Sequence, residues 1–212
     1  MATFGCTGMV ESDMINPETI TNYNQTDAQL EEFILFWVCA AGKNGRTAAR
    51  CLDNLLWKLR DNFSGTPFQL LRRADHLMNL PALLQFSGIG CFNAKARSFR
   101  ELIWSDIDLK TCTVDDLESI YGIGMKTARC FLIHSREGIR LAGIDTHLLK
   151  HLKAVGVENV PSSTPGNKKE YLRLEQEFLR LADEAGKEPA VFDLEIWNRY
   201  SVKSTAKEMS TT

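Results

Sequence analysis

Two residues in "LESIYGIGMKTARCFLIHSREGIRLAGIDTHLLKHL", positions 117–152, have the types and spacing to do chemistry together. Lys126 stands just inside a helix start, after Gly122-Ile123-Gly124, and Asp145 stands just before the next helix. A lysine amine is a nucleophile toward an electrophilic carbon. A carboxylate beside it can take its proton and stabilise positive charge growing on the carbon attacked. The glycines permit positive φ and close approach of another molecule, and the unpaired N–H groups of the helix that follows can receive a phosphate oxygen. Gly122 to Thr127 therefore reads as a phosphate clamp without base preference, with Ile123 turned inward to hold the two helices together. The positive end of that helix disfavours the ammonium form of Lys126, and burial would add to the effect. Blander roles exist for both groups. A hairpin lysine can serve only to touch phosphate, and Asp145 is well suited to cap the helix "THLLKHLKAVG". Capping uses one carboxylate oxygen and leaves the other free.

The elements that must position these groups are all helical. Apolar residues recur at spacings of three and four from Ala28 onward, and no stretch alternates as a strand would. "DAQLEEFILFWVCAAG", with Asp27 as its expected N-cap, reads as a helix buried on most sides and ending at Gly42. "NGRTAARCLDNLLWKLRDNF" reads as an amphipathic helix with a basic outer face, and "TPFQLLRRA" starts a helix at Thr66-Pro67. A short helix, a turn over Gly88 to Gly90 and a helix from about Asn93 to Trp104 follow, and Thr113 with Asp116 forms a capping box. Beyond the hairpin come the loop "VPSSTPGNKKE", a long amphipathic helix and a last helix, "AVFDLEIWNRY"; the tail "SVKSTAKEMSTT" is expected to fray. "SGIG" and "YGIG" are similar turns, of which the first is taken as structural and the second as functional.

Composition narrows the class. The chain has 212 residues, 44% hydrophobic and 25% charged, with a net charge of −2, which is ordinary globular composition. No apolar run nears the roughly 20 residues that span a bilayer, and the start lacks a secretory pattern. A soluble, intracellular protein, cytoplasmic or nucleoid-associated, is expected. Six cysteines lie apart without CxxC pairs, so reduced, partly buried thiols are expected rather than a metal or disulfide framework. His147 and His151 share a helix face but lack a third ligand, so no metal is assigned to them. Charge is uneven: no lysine or arginine occurs before residue 33, whereas Lys43 to Arg73 is strongly basic. A locally basic face can hold phosphate despite the negative total, because the interaction is screened beyond about 10 Å.

"GIGMKTA" followed by "GIDTH" resembles the helix-hairpin-helix DNA glycosylase superfamily, which includes endonuclease III and the 8-oxoguanine glycosylases. "SGIGCFNAKARSFREL" is similar to a Gly-aromatic-x-x-K-A run upstream in that family. The resemblance implies an all-α, two-lobed unit: about 27–41 with 145–205 in one lobe, about 43–140 in the other, and the hairpin at 113–136. It implies that Lys126 attacks the sugar carbon bearing the base and forms a Schiff base, assisted by Asp145, with strand cleavage by β-elimination. No cysteine follows Cys130, so the iron–sulfur cluster of endonuclease III is not expected. The resemblance is then nearest to 8-oxoguanine glycosylases of the archaeal type. It leaves room for an alkali ion on the hairpin's carbonyls and no other cofactor. The partner would be duplex DNA with a damaged base or abasic site, bound by a monomer.

Such a protein must extrude a nucleotide, fill the gap and hold the base. Lys43, Asn44 and Arg46, in the turn "AAGKNGRTA", are candidates to fill the gap or touch phosphates. Trp197 and Phe192 could stack on the base and Asp193 could hydrogen-bond it, with Trp37 as a further pocket candidate. Trp197 and Phe192 also have the spacing of a core-packing helix face. Two other readings remain on sequence grounds. One is a monofunctional glycosylase, or a relative serving thymine hypermodification; the other is a DNA-binding hairpin without chemistry.

Overall fold

The structure, a computed structural model, describes residues 14–209, with side chains through Ser201. After a short 3-10 helix, Pro17–Thr19, come α1 (Asp27–Ala40), α2 (Gly45–Arg60), α3 (Pro67–Leu77), α4 (Leu80–Phe86) and α5 (Phe92–Ile103). The hairpin follows as α6 (Val114–Glu118) and α7 (Met125–Ser135), then α8 (Thr146–Ala154), α9 (Lys168–Glu184) and α10 (Pro189–Met209). Among the described residues there is no strand, and no helix is long and apolar enough to cross a membrane. Cys6 lies outside the described residues.

Local chemistry explains most of the boundaries. Thr66 and Thr113 cap α3 and α6 in reciprocal boxes with Gln69 and Asp116. At α1 the cap is Thr26 and not the expected Asp27: Gln29 N–H donates to Thr26 Oγ1 at 3.3 Å and Thr26 N–H to Gln29 Oε1 at 2.9 Å. Asp27 is instead the first helical residue, paired with Lys110 at 2.6 Å. The backbone of α10 stays helical to Met209, so the fraying expected from Ser201 onward is not seen as far as that residue. Of the described cysteines, Cys39, Cys51, Cys112 and Cys130 are buried free thiols and Cys91 is exposed. Burial pushes the Cys39 thiol up to about 12, which leaves it inert.

Two apolar clusters organise the packing. The larger runs from Ile20 through α1 to α7, with Phe33 to Ala40, Leu52, Leu55, Leu56, Phe99 and Phe131 at its heart. The smaller joins α8, α9 and α10 through Leu148, Leu152, Tyr171, Phe178 and Ile196. The sequence grouped 27–41 with the C-terminal helices, whereas the buried side chains of α1 belong to the larger cluster. Helix α1 is apolar all round, so its pattern marks no preferred partner. Phe33 stacks near Phe36 at 6.4 Å and tilts against Phe131 of α7 at 5.8 Å, which fixes it there. Lys95, only 7% exposed, donates to Cys39 O at 2.7 Å and Ala41 O at 3.1 Å, satisfying carbonyls at the end of α1.

Candidate active site

The hairpin is held from inside. Ile123 is buried in the larger cluster, as expected of an inward staple. Gly122 has φ +80°, and a Cβ there would meet Ser98 Oγ at 2.4 Å, so the turn lies against α5. Gly124 differs: it is extended, nothing lies within 4 Å of an added Cβ, and α7 begins there without a side-chain cap. The amides of the first turn of α7 are therefore open on the side where Gly124, Lys126, Thr127, Pro165, Gly166 and Lys168 line a shallow hollow. Lys168 sits 3.5 Å from Asp115 across the hairpin.

Asp145 is placed by a loop with no helical bonds of its own. Residues 142–144 are buried and tied to α9: Ala142 N–H donates to Glu175 Oε1 at 2.9 Å, Tyr171 O–H donates to Ala142 O at 2.8 Å, and Ile144 N–H donates to Tyr171 Oη at 2.9 Å. Thr164 O–H closes the set on Ile144 O at 3.0 Å. Glu175 also accepts from Arg129 of α7 at 2.8 Å, and Arg129 reaches Glu118 of α6 at 2.7 Å. One buried network thus connects hairpin, loop and α9. A Cβ on Gly143 would fall 2.1 Å from Cys130 Sγ, so only glycine lets the loop pass that close to α7.

Asp145 is the N-cap of α8, and a single oxygen, Oδ1, accepts from His147 N–H at 2.7 Å and Leu148 N–H at 2.9 Å. Burial raises its carboxyl above the ordinary value near 3.8; Lys126 opposes that rise and Asp193 adds to it. Lys126 is half-buried rather than enclosed, with Nζ 5.4 Å from the centre of the Trp37 ring.

These side chains meet in one cavity of about 710 Å³, within the roughly 300–1,000 Å³ of ligand sites. Its walls include Trp37, Lys43, Asn44, Lys126, Asp145, Asp193 and Trp197, so candidates more than 150 positions apart in the chain converge. Trp37 packs its core side on Phe33 and Phe36 and shows its other side to the cavity, serving as core and wall together. Trp197 leans on His147 edge-on at 6.3 Å. Phe192 is not part of the wall: it packs against Phe178 at 5.4 Å and His151 at 5.6 Å, in the smaller core. Its neighbours on α10 turn to the cavity because they fall on the opposite side of the helix.

The turn before α2 sits at the mouth. Asn44 caps α2, accepting from Arg46 and Thr47 N–H. Lys43 donates to Gly88 O at 2.7 Å, so the "SGIG" turn braces the rim. Arg46 is ion-paired with Glu18 and does not line the cavity.

The wall also includes residues that the sequence did not single out, among them Pro17, Ile20 and His134. Pro17 and Ile20 complete the wall from the N-terminal side, where a Cβ on Gly45 would press Pro17 at 3.3 Å. His134, on α7, is buried in the wall with Trp37 stacked on it at 5.8 Å. The signal available was a histidine in the apolar run "CFLIHS", which alone does not separate wall from core. Trp37 Nε1, Asp193 Oδ1 and His147 Nδ1 are buried without a hydrogen-bond partner among the described residues, and all three belong to cavity-lining side chains.

No protein-family model matches the sequence. Among solved structures, the 8-oxoguanine DNA glycosylase of Thermotoga maritima superposes with a TM-score of 0.63 at 23% identity, over 87% of this chain and 86% of that one. The Methanocaldococcus jannaschii 8-oxoguanine glycosylase/lyase, solved with a 15mer DNA containing 8-oxoguanine, gives 0.62 at 19% identity, over 87% of each chain. Over nearly its whole length, then, the chain has the helical fold of these 8-oxoguanine DNA glycosylases.

Proposed function

We propose that this chain is a DNA glycosylase with associated lyase activity that removes an oxidised base, 8-oxoguanine first among them. One observation carries the reading: Lys126 and Asp145 open into the same cavity, beside an open helix N-terminus that can hold the phosphate of an extruded nucleotide. The substrate is taken from the proteins that share the fold.

In the proposed reaction Lys126 Nζ attacks C1′ of the sugar as the glycosidic bond breaks, and the base leaves with the bonding pair. Asp145 Oδ2, free of capping, balances the positive charge growing on the sugar and accepts the amine's proton. Ring opening gives an iminium, which acidifies C2′; loss of that proton expels the 3′ phosphate. Trp37 and Trp197 would flank the base and Asp193 would accept a hydrogen bond from it. Amine and carboxylate supply the chemistry without a cofactor.

Borohydride reduction tests this directly. With duplex containing 8-oxoguanine, or an abasic site, the wild-type protein is expected to give a covalent adduct that Lys126→Gln does not form, while the variant still binds. Excision without an adduct would instead indicate a monofunctional enzyme. Binding without either would leave a hairpin module in which Lys126 only touches phosphate.

A further inference from the structure

His134 is 1% exposed and both its ring nitrogens are engaged, yet the reaction above does not use it. Its Nε2 lies 3.2 Å from Asp193 Oδ2 and its Nδ1 lies 2.8 Å from Thr21 Oγ1. The segment carrying Thr21 is fastened to the same residue a second time, by Asn22 N–H donating to His134 O at 3.0 Å. An ionised carboxylate can only accept, so Nε2 must carry the proton. In a neutral ring Nδ1 is then the acceptor, and the Thr21 hydroxyl is the donor that satisfies it. With the ring neutral, the chain therefore runs Thr21 O–H to Nδ1 and Nε2–H to Asp193 Oδ2.

What this does to the cavity follows from the other carboxylate oxygen. With Oδ2 taken, Asp193 Oδ1 is left buried and without a partner among the described residues, and a buried acceptor left unpaired is costly. It is relieved by a ligand that brings an N–H. The flat face of His134 also backs Trp37, interplanar angle 10°, so the same ring steadies the aromatic wall and the acceptor.

We propose that Thr21 and His134 are positioning residues for base recognition: the Asp193 carboxylate selects the Nε2–H tautomer of His134, and the Thr21 hydroxyl, donating to Nδ1, holds the ring where it occupies Asp193 Oδ2 and presents Asp193 Oδ1 to bases with an N–H donor on that edge. The proposal rests on the glycosylase reading for the identity of the ligand, though not for the tautomer.

Thr21→Val is the decisive substitution, because it removes one hydroxyl outside the cavity wall at nearly constant volume. Nitrogen-15 imidazole spectra of the full chain should show His134 as a single Nε2–H tautomer with a hydrogen-bonded Nδ1, and Thr21→Val should shift the Nδ1 resonance to that of an acceptor without a donor. In single-turnover excision of 8-oxoguanine, Thr21→Val should raise the half-saturating enzyme concentration about tenfold, the effect of roughly one hydrogen bond. Adduct formation on an abasic duplex, which brings no base to Asp193, should stay within about twofold of wild type. His134→Gln retains an N–H to donate to Asp193 and should recover part of the discrimination that His134→Phe, which keeps only the ring, loses. An unchanged Nδ1 resonance in Thr21→Val, or equal losses on base-bearing and abasic duplex, overturns the proposal. Wild-type protein that releases no base yet shows the Thr21-dependent Nδ1 resonance overturns the glycosylase reading and leaves the Thr21–His134–Asp193 chain of hydrogen bonds standing.

Discussion

Asp145 holds two positions at once, cap and charge, and a single substitution separates them. Asparagine caps a helix about as well as aspartate, so Asp145→Asn should keep the bonds to His147 and Leu148 while removing the carboxylate. Folding is favoured by the protonated form, because the folded-state value is raised. The wild type therefore loses stability as pH rises from the ordinary aspartate value through the raised one. Asp145→Asn should match or exceed the wild-type Tm at neutral pH, and its advantage should shrink toward pH 4. Excision should be lost in the variant, and in the wild type it should fall with acid at a pH above the ordinary aspartate range. A variant that melts well below wild type at neutral pH would show that the carboxylate stabilises the fold in its charged form. At this scale the sequence was informative where a residue type has few uses. Lys126 after a glycine turn and Asp145 before a helix were legible, and so was Asp193. Phe192 and Trp197, five apart on one helix, were not separable, because both lie near the boundary between core and cavity and periodicity does not say which side faces the opening.

Among the elements, the loop at 142–144 matters most and was least visible in advance. It has no periodicity, and its hydrogen bonds go to Tyr171, Glu175 and Thr164, up to 33 positions away. Tyr171 alone serves Ala142 O and Ile144 N–H. Tyr171→Phe would strand both buried groups, at about 1–3 kcal/mol each. The Tm should fall by roughly 4–24 °C for a chain of this size, measured by calorimetry. Because Asp145 follows directly, excision should fall more than duplex binding does; a variant with unchanged melting would mean that the loop finds other partners. The helices themselves were legible from spacing, glycine turns and capping residues. Where a boundary moved, a neighbouring group competed better, as Thr26 did over Asp27 by exchanging bonds with Gln29. The grouping of α1 was not legible, since a helix apolar on every side can be claimed by either core.

For the whole molecule, a net charge of −2 must be reconciled with the polyanionic partner that the proposed function requires. The reconciliation is geometric. Lys43 is at the cavity mouth, Arg46 one turn away, and Lys126 and Lys168 flank the hairpin hollow. Arg46 and Lys168 would exchange their acidic partners, Glu18 and Asp115, for phosphate, whereas Arg140 with Asp183 and Arg180 with Glu177 and Glu184 are paired away from both hollows. At physiological salt a phosphate feels charges within about 8 Å, so the local set decides binding and the total does not. Neutralising three or four phosphates through this set gives a log–log salt slope of about −3 to −4. Binding to undamaged duplex should therefore be weak and fall by nearly two orders of magnitude between about 50 and 200 mM salt. Lys168→Gln should flatten that slope by about one, whatever the sequence of the duplex. Fluorescence anisotropy across a salt series measures both quantities. An unchanged slope would place the phosphate path away from the hairpin hollow, on the exposed basic face of α2, and would detach the open N-terminus of α7 from any role in holding DNA.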